Sequence, residues 1–314
     1  MTRLFYFVLL VAFPTATFSQ ETKDKITFLD SNYVKVDEGK HAYFEIIRDY
    51  YSLKEYYVIE EYYKSGHQKM GGISTLKDNY KYTGVVMHFF ENDTIMSKTL
   101  YEDGIPLGNF FSWYENGKKE IEGEYVANPF SKNKEQVLKV HHFWDENGVQ
   151  KVIDGNGVYT EKQANFQAKG EIKNGLKTGI WTGVDKKYKI SFSDEYEDGK
   201  FISGVSKDDN LIEKSYTEIH DRPSPKKGIK HFYNFVGKKF NTGRNTNVTG
   251  KIILTFIVNK NGAIDKIEVL RGIHPKFDKE AVRVLNLYAD WEPGKYRGKP
   301  VDVRYSLPIT IIPN

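Results

Sequence analysis

The feature that most constrains the fold is a series of Asn-Gly and Asp-Gly pairs within the 314-residue chain. Both pairs supply the positive φ that a tight two-residue hairpin turn needs. The short runs between them are rich in aromatic and β-branched residues, which is typical of strands. The sequence therefore predicts a succession of small β-hairpins that stack into one extended sheet. The glycines of these turns stand at positions 104, 117, 148, 175 and 199.

Two of these units share a longer motif. "LYEDGIPLGNF" at Leu100–Phe110 and "EIKNGLKTGIW" at Glu171–Trp181 both carry Asx-Gly, three residues, Gly, one residue and an aromatic. The motif resembles the MORN repeat, in the degenerate form found in bacterial envelope proteins. The resemblance implies a MORN-like β-hairpin repeat domain over residues 20–205. Its Tyr and Trp side chains are expected to pack between hairpins, with a carbohydrate or peptide platform as the alternative.

The repeat pattern weakens over residues 206–224. "DRPSPKKG" at Asp221–Gly228 contains two prolines, each of which pushes the preceding residue out of the helical region. We interpret residues 206–224 as a linker, so that a separate domain is expected to occupy residues 225–314.

The last ninety residues alternate between helical and strand-like patterns. Apolar residues at helical spacing come first, a hairpin pattern follows, and a second helical pattern precedes a final strand. This order predicts an α+β domain in which a three-stranded antiparallel sheet carries helices on one face. The segments are a helix over 229–240, a hairpin of Lys251–Val258 and Ala263–Leu270, a helix over 277–288, and the strand Val301–Ile311.

The final strand shows a period of two sustained over eleven residues, which marks a half-buried strand. Pro300 and Pro308 flank or interrupt it, and proline cannot donate to a ladder, so we expect an edge strand. The apolar face consists of Val301, Val303, Tyr305, Leu307, Ile309 and Ile311.

The C-terminal segments together resemble the C-terminal domain of TonB, the energy transducer of Gram-negative envelopes, in its Bacteroidetes-like form. The most specific residues are Trp291-x-Pro293-Gly294, then Gly298-Lys299-Pro300-Val301, then Leu307-Pro308-Ile309. "PKKGIKHFYNFVGKKF", "GKIILTFIVNKNGAIDKIEVLRG" and "FDKEAVRVL" carry the rest of the resemblance, although the "KxxYP" continuation of the family is replaced by "KKFNTGRN".

What the resemblance implies is a binding module. TonB domains capture a short segment from the plug of an outer-membrane receptor by adding it as a strand to an exposed sheet edge. Mapped onto this chain, the edge carries Val301, Val303, Arg304, Tyr305, Leu307 and Ile309, with Arg297 and Lys299 as additional charge contacts for an acidic segment. A proline at Val303 or Tyr305 is expected to abolish capture of the receptor-plug segment. Trp291 is expected to pack in the core under the sheet. A homodimer through the same strand is a further expectation.

The N-terminus reads as an export signal. Arg3 provides the positive charge at the start, and Leu4–Phe13 is an apolar run of ten residues. Thr17 and Ser19 stand at positions −3 and −1 of a signal-peptidase cleavage site before Gln20. We therefore expect a signal peptide over 1–19 and a periplasmic protein. The alternative is a retained inner-membrane anchor, which would bring the inner-membrane motor proteins of the family into contact as partners. The family's long proline-rich spacer is missing, since the whole chain has 10 prolines.

The charge is unevenly distributed along the chain. The net charge is +4, but residues 221–314 contain 18 Lys and Arg against 8 Asp and Glu. A basic exported domain favours an acidic peptide or a membrane surface as partner. Surface lysines that keep the protein soluble are the alternative explanation.

Catalytic patterns are missing from the sequence. The absence of cysteine excludes disulfides and Cys-ligated metals. No GxSxG or HExxH motif occurs, and "GRNTNVTGK" has the wrong spacing for a P-loop. His141 and His142 would point to opposite faces of a strand, which is poor for a shared metal.

The sequence thus predicts no enzyme, no cofactor, no metal and no nucleic-acid partner. We predict a TonB-family periplasmic protein that takes part in TonB-dependent transport. The alternative is an envelope scaffold whose repeats bind the main partner, with the TonB-like domain as an adaptor.

Overall fold

The structure is a computed structural model that describes residues 23–130, 135–241 and 249–311. The signal peptide predicted for residues 1–19 lies outside these ranges. The chain divides into two compact units, one ending at Ala127 and the other beginning at Asn128. This division falls inside the predicted repeat region, and the second unit combines repeat strands with the C-terminal domain. Within the described ranges, no helix is long and apolar enough to cross a membrane.

The first unit is an antiparallel meander in which each strand pairs with the next one along the chain. Its core includes Ile47, Tyr57, Ile59, Met70 and Val86. The strands are β1 (Lys25–Leu29), β2 (Tyr43–Ile47), β3 (Tyr57–Tyr63), β4 (Gln68–Ser74), β5 (Tyr82–Phe89), β6 (Ile95–Glu102), β7 (Ile105–Trp113) and β8 (Lys119–Ala127).

The second unit begins with eight further strands in the same meander pattern. These are β9 (Gln136–Trp144), β10 (Gln150–Ile153), β11 (Asn156–Gln163), β12 (Phe166–Lys173), β13 (Leu176–Asp185), β14 (Ile190–Glu197), β15 (Lys200–Asp208) and β16 (Glu213–Tyr216). The predicted succession of antiparallel hairpins is therefore confirmed, whereas the likeness to MORN repeats remains a prediction.

Three of the five Asx-Gly pairs, at 103–104, 174–175 and 198–199, form tight two-residue turns as predicted, whereas the pairs at 116–117 and 147–148 lie in five-residue loops in which only the glycine has a positive φ. Asn174 has φ 51° and Gly175 has φ 82°, and Asp103 and Gly104 have φ 50° and 82°. Positive φ at both central positions matches the right-handed twist of the flanking strands. Aromatic rings then pack from strand to strand: Trp181 lies 6.1 Å from Tyr159 and 6.3 Å from Tyr196, between ring centroids.

The residues predicted as a linker form strands. β16 lies within 206–224, and two short strands follow it, β17 (His220–Asp221) and β18 (Ser224–Pro225), with Pro223 between them and Pro225 inside the second. β17 pairs with Lys295–Tyr296 and β18 with Trp291–Glu292, both far along the chain. Main-chain hydrogen bonds to these distant strands hold the segment in place. The local sequence pattern carries no signal for pairing at such a separation along the chain.

The C-terminal domain has the predicted order of helix, hairpin, helix and strand. Its sheet has the order β20–β19–β24, and every pair is antiparallel. The elements are α1 (Ile229–Lys239), β19 (Gly250–Val258), β20 (Ile264–Arg271), α2 (Pro275–Asn286), β21 (Trp291–Glu292), β22 (Lys295–Tyr296), β23 (Lys299–Pro300) and β24 (Val303–Ile311).

The core of this domain lies between the sheet and the two helices. Trp291 is completely buried, as predicted, and its ring lies 5.7 Å from Phe232 of α1 and 5.5 Å from Phe256 of β19. Helix α2 begins at Pro275, and the side chain of His274 accepts a hydrogen bond from the N–H of Lys276. Proline at the first helical position and a capping side chain just before it fix this start.

Candidate functional site

Strand β24 lies at one edge of the C-terminal sheet. Within the described ranges it pairs with β19 only, so its other side presents main-chain groups that no neighbouring strand occupies. The sequence-based expectation of an edge strand is confirmed by this topology. Such an edge is a template for an additional strand.

The side chains of β24 alternate as predicted. Leu307, Ile309 and Ile311 are buried in the core against the helices. Arg304, Ser306 and Thr310 are exposed on the opposite face. A one-residue slip would reverse both faces, so the buried side chains fix the register of the strand.

Pro308 determines which main-chain groups point to the free edge. Residues of an antiparallel strand alternate between pairs that exchange two hydrogen bonds with the neighbour and pairs that exchange none. The register between β19 and β24 runs without a shift, and proline has no N–H, so Pro308 belongs to a non-bonded pair opposite Ile253. The carbonyl of Pro308 accepts a hydrogen bond from the Tyr233 hydroxyl at 3.5 Å, as expected if it faces away from β19.

By the same alternation, Arg304, Ser306 and Thr310 direct their N–H and C=O groups to the free edge. The predicted contacts Val303, Tyr305, Leu307 and Ile309 direct theirs to β19. Of the predicted edge contacts within β24, only Arg304 therefore offers both main-chain groups to an added strand. Val301 lies before β24, and its N–H donates to the carbonyl of Gly294 at 3.0 Å.

Arg304 is the only charged residue of β24. Its Nη1 lies 3.5 Å from Oε2 of Glu268 on β20, and both side chains are largely exposed. An exposed pair of this kind contributes little to stability. The guanidinium is therefore available to exchange Glu268 for a carboxylate of a partner.

Arg297 is placed differently from the prediction. Its side chain is 5% exposed, and Nη2 donates to Oδ2 of Asp194 on β14 at 2.8 Å. Its guanidinium also lies 3.8 Å from the centre of the Phe192 ring. Burial disfavours its charge, but the hydrogen bond to Asp194 and the negative charge of that carboxylate, with further contributions from Tyr296 and Tyr216, together outweigh burial, so that the pKa of Arg297 is raised. These contacts make Arg297 part of the packing between the C-terminal domain and strand β14, in place of the predicted contact with a partner.

Lys299 is also engaged within the chain. Its Nζ donates to the main-chain carbonyl of Tyr188 at 2.7 Å. The sequence offered no signal for either contact, because the partners of Arg297 and Lys299 stand 103 and 111 residues earlier in the chain.

Helix α1 contributes a residue that the sequence-based prediction missed. Tyr233 lies beside the free edge, as its hydrogen bond to Pro308 shows, and 42% of its surface remains exposed. A tyrosine at the flank of an amphipathic helix is the only sequence signal, and it does not identify the strand that the ring meets.

No metal centre is found within the described ranges, where no three His, Asp or Glu side chains are grouped to hold an ion. Nε2 of His142 lies 3.8 Å from Oδ1 of Asp154, but these two side chains do not belong to a group of three among the described residues. The edge of the C-terminal sheet therefore remains the best-defined candidate site.

Comparison with protein families identifies the C-terminal region. Residues 243–310 match the family model described as the C-terminal of the Gram-negative bacterial TonB protein. The match spans β19, β20, α2 and nearly all of β24, so it contains the edge strand described above. No curated protein and no solved structure is similar enough to the chain to count as a match.

Proposed function

We propose that this protein, which carries a TonB C-terminal domain, binds an extended segment of an outer-membrane receptor by strand addition at β24. The family match over residues 243–310 supports a TonB-family, energy-transducer-like protein of the envelope that faces the periplasm. The proposal adds the mode of binding, the partner, and a part in TonB-dependent transport. It involves no catalytic step, no cofactor and no metal.

The observation that carries the proposal is the free edge of β24. Arg304, Ser306 and Thr310 present N–H and C=O groups outward, which is what strand addition requires. Pro308 interrupts this row, because it has no N–H and its carbonyl already accepts from Tyr233. We therefore place the main pairing at Arg304 and Ser306.

The basic character of residues 221–314 supports an acidic partner segment. Arg304 is the charged side chain best placed to meet such a segment, since Arg297 and Lys299 are engaged with Asp194 and Tyr188.

The binding mode is tested with the full chain and synthetic peptides that carry the plug segments of TonB-dependent receptors. Ser306→Pro and Ser306→Ala both remove the hydroxyl, but only the proline removes the outward N–H. We expect Ser306→Ala to bind the best peptide as the wild type does, and folded Ser306→Pro to lose about tenfold or more in affinity. Equal affinities for the two variants would rule out strand addition at this edge.

The structure also corrects the earlier choice of variants. A proline at Val303 or Tyr305 would remove an N–H that points to β19 and would break the sheet itself. Loss of binding in those variants would then report on folding.

A scaffold function is favoured by a different observation. The buried pair of Arg297 and Asp194 joins the C-terminal domain to the last repeat strands, so the repeat could carry a partner of its own on the same body. Transport requires a link to the inner-membrane motor proteins, and the state of the N-terminus distinguishes the two functions. An intact mass that starts at Met1 in the membrane fraction would support a transducer, whereas a periplasmic species that starts at Gln20 would support the scaffold.

A further inference from the structure

Helix α1 lies between α2 and the free edge of β24. On one flank, Phe235 packs against Tyr288 at 5.2 Å between ring centroids, and Arg283 of α2 donates to the carbonyl of Lys239 at 2.8 Å. On the other flank, the Tyr233 hydroxyl reaches Pro308. A strand added to β24 would therefore run beside this second flank of α1.

The flank that faces the edge is apolar and open. Ile229, Tyr233 and Gly237 follow one another at intervals of four residues, so they share one side of the helix. Ile229 is 47% exposed and Tyr233 is 42% exposed. A Cβ atom built on Gly237 meets no described heavy atom within 4 Å, so there is open space beside the helix.

We propose that Ile229, Tyr233, Gly237 and the free edge of β24 form a groove that selects the added peptide through its helix-facing side chains. This inference rests on the proposed strand addition and specifies what the added segment must contain. The occupant is an extended peptide, because the unpaired N–H and C=O groups of Arg304 and Ser306 match a main chain.

Strand geometry determines which peptide side chains enter the groove. Residues directly opposite each other on neighbouring strands project to the same face of the sheet. Peptide residues opposite Tyr305 and Leu307 therefore face the helices and meet Tyr233, whereas those opposite Arg304 and Ser306 face away.

The chemistry of the two peptide faces follows from these neighbours. The helix-facing positions require uncharged, mainly aliphatic side chains, because a charge placed against Ile229 and Tyr233 would lose its water without gaining a partner. The outward position opposite Arg304 accepts a carboxylate. The structure thus assigns to this groove an alternating peptide, apolar on one face and polar or acidic on the other.

The test uses the full chain and the receptor-plug peptide that binds best, with glutamate substituted at each position in turn. We expect glutamate to lower the affinity by about tenfold or more at every second position and to change it little at the positions between. In Tyr233→Ala, this difference between the two sets of positions should shrink to about threefold or less.

A second pair of variants tests the space beside the helix. Gly237→Trp should fill the groove and weaken binding by about tenfold, whereas Asn234→Trp adds the same ring on the solvent side of α1 and should leave binding unchanged.

The groove and strand addition can be contradicted by different results. A flat glutamate scan, or a scan unaltered by Tyr233→Ala, overturns the groove while Ser306→Pro still abolishes binding. Unchanged binding in Ser306→Pro overturns strand addition and the groove with it.

Discussion

Arg297 and Asp194 form a buried ion pair across 103 residues of sequence, with Nη2 of the arginine 2.8 Å from the carboxylate and side-chain exposures of 5% and 1%. Asp194 also accepts a hydrogen bond from the Tyr216 hydroxyl, and the hydroxyl of Ser206 donates to the carbonyl of Arg297 at 2.6 Å. The turn between β22 and β23 is thereby fixed to β14, β15 and β16. The C-terminal domain and the last repeat strands are therefore coupled through polar groups that water does not reach.

Asp194→Ala should destabilise the protein strongly. Removing one partner of a buried pair leaves the other charge without compensation, which costs about 3–5 kcal/mol. Arg304→Ala is the matched control, since it breaks an exposed pair with Glu268 that is worth at most about 1 kcal/mol. Urea unfolding of the full chain, followed by tryptophan fluorescence, measures both effects. Equal midpoints for the two variants would show that the buried pair does not hold the second unit together.

Glu45 predicts a pH dependence in the first unit. Burial raises the pKa of the Glu45 carboxyl above its usual 4.5. A hydrogen bond from Tyr80 lowers this pKa in part, and the negative charge of Glu61 raises it further. The folded state then binds a proton more tightly than the unfolded state, so stability falls as the pH rises from about 4.5 through the raised value.

Glu45→Gln should remove this loss. Relative to the wild type, the variant is expected to gain stability as the pH is raised from about 4 to 7, whereas Glu38→Gln at an exposed position should show a constant difference. Thermal melting at a series of pH values compares the three proteins. A wild-type curve parallel to that of Glu45→Gln would contradict the prediction.

Local signals in the sequence were sufficient to predict the hairpin pattern of the repeat and the order of the two helices and three main strands of the C-terminal domain. Asx-Gly pairs such as Asn174-Gly175 form turns because their backbone requirement is met within two residues, and the alternation of β24 identifies its buried face. Long-range contacts were not predictable. Asp194 carries no mark that relates it to Arg297, and the paired strands β17 and β18 occupy a stretch that looked like a linker. The groove beside α1 required the position of Tyr233 in space, which helical spacing alone does not give.

Gly237→Ala should stabilise the protein. Glycine inside a helix costs about 1 kcal/mol relative to alanine, and the added methyl group would enter open space. Gly170→Ala is the contrasting variant, because its Cβ would lie 2.4 Å from ring atoms of Trp181 and should destabilise the repeat. Urea midpoints that move in opposite directions would confirm that Gly237 borders open space and that Gly170 is closely packed against Trp181. A loss of stability in Gly237→Ala would mean that the space beside α1 is already filled.

Trypsin should cut the native protein slowly within 206–224, although this stretch looks like a linker in the sequence. Lys207 lies in β15 and Lys214 in β16, and Arg222 precedes a proline that blocks cleavage. A protease needs an extended, detached main chain, and β16 is held by its pairing with β15 and by the contacts of Tyr216 with Asp194.

Asp194→Asn should expose these sites. The amide keeps the size of the carboxylate but removes the charge that Arg297 needs, so the turn after β22 and the end of β16 should detach more often. Limited trypsin digestion followed by mass spectrometry would then show faster cleavage after Lys207 or Lys214 in this variant. The control is Glu197→Gln, which changes an exposed position on the same strand as Asp194 and should be digested as slowly as the wild type. Rapid cleavage in the wild-type protein would instead identify a true linker and would leave the C-terminal domain free to move independently of the repeat.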